Sequence, residues 1–368
     1  MAAIQAALPP SFVGLGIALV IGMALVPGTL LQRFSDAFIA AFGAMSALLV
    51  VLLADAYARR TDVPRAQAIA LSVATFVVSL PYRGRSALEL AVAVGPTGLF
   101  LAIGVGLGAT AVLAVARRRL GARLGTLAAT AAVLGLALAL ALAGISVTGA
   151  IDAAISPLGR LGDSLGALLI IVLLETLLWV VGIHGPALLA PVILPIYIRL
   201  QLANTTALVH DRPLPHIVTV SLFLFVFPGG AGATLPLVAM LSRSRVKRVR
   251  RLALATLLPG IANVNEPLMF GLPLVLNPTL GVPFVVAPLA LALVAYEATA
   301  YGFVARTAYY IPSVVPAPVG VFLATRDWRS VVLVAVELAL ATIIYLPFVR
   351  SFERRERERD ASPSPEAA

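Results

Sequence analysis

Pro259-Gly-Ile-Ala-Asn-Val-Asn-Glu-Pro-Leu-Met-Phe-Gly-Leu-Pro-Leu-Val-Leu-Asn-Pro278 is as long as a membrane span, but it cannot be read as one. Pro259, Pro267, Pro273 and Pro278 each remove a backbone donor and restrict the preceding residue. Asn263, Asn265 and Asn277 add amides, and Glu266 adds a carboxylate expected in extended backbone just before Pro267. The residues on either side are strongly apolar. An ionisable group at membrane depth is costly and is retained where it has a function. The stretch therefore reads as a re-entrant hairpin that presents one carboxylate and several amides to a polar ligand.

The rest of the 368-residue chain supplies the membrane around it. Hydrophobic residues make up 60% of the sequence, charged residues 12%, and the mean hydropathy is +1.01. A soluble domain carries about 25% charged residues, and at this length it could not bury so much apolar surface. The apolar runs are continuous rather than alternating, which excludes a β-barrel. The fold class is all-α: a polytopic integral membrane protein of about ten transmembrane helices, with re-entrant hairpins in its C-terminal half.

Apolar spans are expected near 12–31, 37–57, 66–81, 88–116 and 122–146, then 165–183, 215–228, 231–242, 281–305 and 329–349. The first half is regular. After Val147 the runs are interrupted by Pro, Gly, Asn, His and Glu, a pattern tolerated at membrane depth only where protein or a water-filled cavity satisfies the backbone. Residues 1–146 thus read as a scaffold domain and 147–349 as a substrate-binding transport domain. The tail 350–368, dense in Arg and Glu, is expected to be solvated and disordered. Basic clusters at Arg59, Arg60 and Arg65, at Arg117 to Arg123 and at Arg243 to Arg251 place both termini on the cytoplasmic side of the cell membrane. The Arg residues sit in short loops between spans, so nucleic acid is not an expected partner; membrane lipid is.

No cysteine is present, and the only histidines are His184, His210 and His216. Thiol chemistry within this chain and a multi-histidine metal site are excluded. No cofactor is expected. His184 lies in Trp179-Val-Val-Gly-Ile-His-Gly-Pro, where Gly182, Gly185 and Pro186 break the helix and turn the imidazole toward a cavity. Trp179 offers an aromatic face to a sugar ring, or equally sits in an interfacial belt. Glu175 precedes Trp179 by four residues, so the two share a helix face. In a continuous helix it would point about 180° from His184. Glu297 and Glu337 are expected to bond between helices or to mark a span end. Pro228-Gly-Gly-Ala-Gly-Ala-Thr234 lacks the Gly-Lys-Ser/Thr ending and preceding strand of a phosphate loop and reads as a tight turn or helix crossing. His210 and His216 are expected to be dispensable.

At these residues the sequence resembles the membrane subunit, enzyme IIC, of bacterial phosphotransferase-system sugar transporters, in the lactose/cellobiose/diacetylchitobiose branch. The run 263–278 carries the resemblance. It is supported in order by Trp179 with Gly182-Ile-His-Gly185, by Asn204, by Gly229-Gly-Ala-Gly-Ala-Thr-Leu235, and by Ala317-Pro-Val-Gly-Val-Phe-Leu-Ala-Thr-Arg-Asp-Trp-Arg329. The resemblance implies a homodimer and a sugar permease whose substrate is phosphorylated by a separate phosphocysteine IIB subunit. It implies that Glu266 and His184 bond the hydroxyl that receives the phosphoryl group and that Asn265 orients the ring; Asn263, Trp179, Glu175 and Asn204 are expected to complete the substrate site. A carboxylate or imidazole within reach of that hydroxyl can take its proton as the phosphoryl group arrives. Where the family would place a tryptophan platform, the chain reads Ile311-Pro312-Ser313, which removes a stacking surface for a second ring. Two other readings share part of the pattern. An uncoupled carrier of a polar solute would use the same fold. A membrane enzyme acting on lipid-linked substrates ranks last, because no Asp cluster for Mg²⁺ is present.

Overall fold

A computed structural model describes residues 30–80, 97–272, 274 and 276–361. The expected span at 12–31 lies almost wholly outside these residues, as does the first part of the one at 88–116. Every regular element among the described residues is helical. In chain order they are α1 Leu30–Thr61, α2 Arg65–Val78, α3 Thr97–Leu120, α4 Ala122–Leu142, α5 Val147–Gly162, α6 Leu165–Val180, α7 Gly185–Val209, a 3₁₀ turn Val220–Leu222, α8 Phe223–Val226, α9 Leu235–Leu241, α10 Lys247–Ile261, α11 Glu266–Gly271, α12 Pro278–Ala300, α13 Ala317–Thr325 and α14 Arg329–Ala361. Five of the described helices, α3, α4, α7, α12 and α14, are long and apolar enough to cross a membrane.

The chain divides into two compact units, Met1–Gly159 with Pro191–Arg199, and Arg160–Ala190 with Leu200–Ala368. This division differs from the boundary expected at 146/147: the first unit also takes most of α5 and the middle of α7.

In the first unit α3 packs on α1, α2 and α4. Their contact is built from small side chains (Ala58, Ala68, Ala109, Ala114 and Ala129, with Leu71 and Leu113), which lets helix backbones approach closely in lipid. Leu124, Leu127 and Leu142 of α4 are 67%, 69% and 79% exposed, a surface suited to hydrocarbon or to another helix. At the basic end Asp55 takes both Arg59 and Arg65. The Arg117 guanidinium donates to Gln67 Oε1 at 3.1 Å, Ala122 O at 3.0 Å and Thr126 Oγ1 at 2.8 Å.

In the second unit α12 and α14 run antiparallel, as the Arg355–Thr279 and Arg329–Gly302 hydrogen bonds at their two ends require. α6 packs on α12, while α9 and α13 pack on α14. Phe284, Leu291, Tyr345 and Val349 belong to the shared core with Leu237 and Leu268. The expected spans at 215–228 and 231–242 are not spans. They resolve into the 3₁₀ turn, α8 and the seven-residue α9, far short of the ~30 Å hydrocarbon thickness. Pro228 and positive φ at Gly229, Gly230, Gly232 and Ala233 interrupt any continuous helix there.

The tail also departs from expectation. Helix α14 continues through the charged segment to Ala361. Pairing within the helix and across to α10 supports it: Arg357 reaches Glu353 at 3.4 Å, and Glu356 receives Arg359 at 3.0 Å and the distant Arg248 of α10 at 2.6 Å.

Candidate functional site

Helix α6 ends where the sequence places its glycine. Gly182 has φ +85°. Its N–H donates to Trp179 O at 3.0 Å, and the Ile183 N–H donates to Leu178 O at 2.8 Å. This paired arrangement closes a helix around a left-handed residue. The chain then reverses so tightly that a Cβ at Gly185 would lie 2.1 Å from Glu175 O. Only glycine fits there, and its fit carries α7 back against the α6 backbone. His184 is held in this reversal.

Glu266 does not occupy extended backbone. It opens α11, with Asn265 as N-cap and Pro267 in the first turn, where a proline costs no helix hydrogen bond. Glu266 Oε1 lies 3.5 Å from His184 Nε2, and each side chain is 43% exposed. Glu266 Oε2 is shielded and has no hydrogen-bond partner among the described residues. The α6 end and the 272–277 segment are tied by Leu276 N donating to Val180 O at 2.8 Å.

Trp179 is 3% exposed, which fits neither an interfacial belt nor an open stacking face. Its ring packs 4.4 Å from the His184 ring at 45° and 6.4 Å from Phe270 at 63°. It therefore backs the imidazole. Its indole Nε1 is buried without a partner among the described residues. Phe270, which the sequence did not single out, is 77% exposed beside it. Its signal was present in Glu266-Pro-Leu-Met-Phe270, four residues after the carboxylate and on the same short helix.

The two asparagines hold the hairpin in shape. Asn263 Oδ1 accepts from Gly229 N at 2.8 Å, and its Nδ2 donates to Ser313 O at 2.7 Å and Val315 O at 2.9 Å. Both amide hydrogens of Asn263 are thus committed to backbone. The Asn265 Nδ2 donates to Ala231 O, and the residue is 4% exposed. The glycine loop is their cradle. A Cβ at Gly230 would stand 2.8 Å from Asn265 Cγ and 2.9 Å from Asn263 O. Tyr345 of α14 closes the loop from behind by donating to Gly232 O at 2.7 Å.

Asn204 is placed in another network. Its Nδ2 donates to His216 O at 2.8 Å and Thr307 O at 3.0 Å, and its Oδ1 accepts from His216 N at 2.9 Å. It is fully buried, and both amide hydrogens are taken by backbone, so its observed work is to join the 216 and 307 segments. His216 belongs to that clasp: Nδ1 lies 3.0 Å from Asp163 Oδ2, while Asp163 Oδ1 accepts from Ile217 N and Val218 N. His216 is thus tied into that clasp, whereas His210 is exposed and bonds Thr206 O within its own helix. Glu175 is 8% exposed and shares the buried face of α6 with Trp179. Glu337, expected to bond between helices, is fully buried, and neither carboxylate oxygen has a partner among the described residues.

Comparison with known proteins follows this geometry. The family model described as "Phosphotransferase system, EIIC" matches residues 5–288. The chain is 39% identical over 214 residues to the "Putative permease IIC component YwbA" of Bacillus subtilis (strain 168), covering 57% of this chain and 48% of that protein. It is 35% identical over 227 residues to the "PTS system cellobiose-specific EIIC component" of Lactococcus lactis subsp. lactis (strain IL1403), covering 54% and 45%. The chain spans about half the length of the curated relatives it matches. The crystal structure of the transporter ChbC, the IIC component from the N,N'-diacetylchitobiose-specific phosphotransferase system, superposes with TM-score 0.82 at 26% identity, covering 99% of this chain and 95% of that one.

Proposed function

Because this chain belongs to the phosphotransferase-system EIIC family, we propose that it is the sugar permease of such a system, a multi-pass membrane protein that carries a sugar across the cell membrane for phosphorylation. The observation that supports this most directly is the Glu266–His184 pair, a carboxylate and an imidazole 3.5 Å apart and each 43% exposed. A sugar hydroxyl reaching the exposed side of this pair can donate a charge-assisted hydrogen bond to the carboxylate. In the transfer, the hydroxyl oxygen attacks phosphorus, the bond from phosphorus to its carrier breaks, and the hydroxyl proton passes to the carboxylate. These 368 residues hold no cysteine, so in this reading a phosphocysteine carrier lies outside them, on a IIB unit. The chain is thereby the membrane half of a protein-phosphocysteine–sugar phosphotransferase.

Asn265 and Asn263 act in this reading by fixing the arch on which Glu266 stands; Asn265 also orients the ring. Exposed Phe270 supplies an aromatic face for the sugar, backed by Trp179, and Glu175 supports the same wall. Relatives named for cellobiose, lichenan and oligo-β-mannoside support a saccharide as the substrate class. Serine at 313 in place of an aromatic favours a substrate with less to stack on a second platform. The exposed leucine face of α4 is the surface proposed for the homodimer contact, and the basic loops place both termini in the cytoplasm.

The test is sugar-dependent dephosphorylation of a phosphorylated IIB protein from the same organism, with the purified chain in liposomes and a panel of mono- and disaccharides. Turnover with one sugar supports the reading and names the substrate. Saturable uptake without dephosphorylation overturns the coupling and leaves a carrier.

A further inference from the structure

Helix α14 is longer than its membrane requires. Val331–Val349 contains no charge except Glu337, and nineteen residues span about 28 Å, close to the ~30 Å hydrocarbon core. Arg350–Ala361 adds about 18 Å of helix beyond it, more than the ~6 Å of headgroup region on one side. The extension does not stand alone. Val349 and Phe352 are buried with Val246 and Val249 at the start of α10. Glu356, 4% exposed, binds Arg248 and Arg359. Apolar side chains thus lie inside this two-segment knob, leaving the other charges outward. Residues 243–251 and 350–361 together hold eleven Arg or Lys and four Asp or Glu. Arg243, Arg245, Lys247, Arg250, Arg251 and Arg354 are all exposed.

We propose that this knob is the docking surface for an acidic face of a soluble protein, the phosphoryl donor. The proposal rests on the permease reading above for the partner's identity. Two observations favour a soluble protein over anionic lipid. By helix length the outer part of residues 350–361 reaches past a headgroup layer of ~6 Å, and the clasp of Glu356 with Arg248 holds the α10 charges beside it in one geometry. The knob is also continuous with the site, since α10 runs from Lys247 to Ile261 and leads directly into Asn263, Asn265 and Glu266. Electrostatic complementarity of this kind acts mainly on encounter and is weakened by salt.

The experiment compares wild type, Arg250→Glu/Arg354→Glu and Arg250→Lys/Arg354→Lys. The probe is a purified IIB protein of the same organism, phosphorylated for turnover and also offered to the immobilised full chain in neutral detergent. Charge reversal is expected to raise KM for phospho-IIB by about tenfold at low salt and to remove its salt dependence. Sugar Kd and kcat should stay within twofold, and the lysine variant should behave as wild type. An unchanged KM overturns the proposal, as does a loss of sugar binding that the lysine variant shares. An effect seen only in proteoliposomes containing anionic lipid assigns the knob to the membrane surface and also overturns it. If wild type shows no sugar-dependent turnover, direct binding decides separately. Salt-sensitive binding lost on reversal keeps the docking surface while the phosphotransfer reading falls, and no binding removes the docking surface.

Discussion

Glu266 carries its two oxygens in different surroundings, one 3.5 Å from His184 and one shielded without a partner. Glu266→Gln keeps the shape but removes the proton acceptor. Its expected result is normal expression with phosphotransfer reduced at least ~100-fold, read by phospho-IIB dephosphorylation; near-wild-type turnover would remove Glu266 from the chemistry. His184→Ala should impair sugar binding or transfer while His210→Ala should not, and equal behaviour of the two would undo the assignment of the helix break. Phe270→Ala should weaken sugar binding by roughly 0.5–1.5 kcal/mol if a ring stacks there, measured by titration calorimetry with the substrate. A value within error of zero would leave Phe270 facing lipid. These residues differ in how far the sequence revealed them. A carboxylate, a histidine and prolines inside an apolar run stand out because each is costly at that depth. Phe270 does not, because an aromatic residue in an apolar run is ordinary until its exposure is known.

At the scale of elements, the hydrogen bonds that shape the site join distant segments. Asn263 ties the glycine loop to residues 313–315, and Asn204 ties residue 216 to 307. Asn204→Ala removes the donor to His216 O and the acceptor of His216 N, while Thr307 O keeps Gln201 Nε2; a polar group left unpaired where water cannot reach it costs about 1–3 kcal/mol. A lower melting temperature in detergent is expected, with sugar affinity unchanged in the protein that remains folded; intact stability with lost affinity would make Asn204 a ligand instead. The turn between α13 and α14 adds a pH dependence. Burial opposes the charge on Asp327, but the Arg329 side chain and the N–H groups of Ala305 and Arg329 outweigh it and hold the carboxyl below 3.8. A group whose folded pKa is depressed stabilises above its unfolded value near 3.9 and loses that contribution as pH falls through the folded value. Melting between pH 7 and pH 3 should therefore show an acid-side loss that Asp327→Asn lacks. The variant should also be less stable at pH 7, and an unchanged acid limb would rule out this contribution. Local pattern located α6, α12 and the apolar part of α14, with the expected 165–183 and 281–305 observed as Leu165–Val180 and Pro278–Ala300. It overestimated helix at 215–242 and underestimated it at 350–361. In the first case positive-φ backbone breaks the run; in the second, Glu356 acquires a partner more than a hundred residues away.

For the molecule as a whole, composition alone required a membrane. Sixty per cent apolar residues over 368 positions exceed what a soluble core can cover, and the ordered motifs from Trp179 to Arg329 supplied the family. The sequence also determined that no phosphocysteine can form within this chain. Only the tertiary structure decided that the glycine loop is the cradle of Asn263 and Asn265, that the Trp179 ring packs on His184, and that residues 350–361 form a clasped helix. The reason is physical. Apolar periodicity, proline and glycine act over a few residues and are legible locally. Which amide meets which carbonyl, and which face is covered, depends on segments that chain order does not bring together.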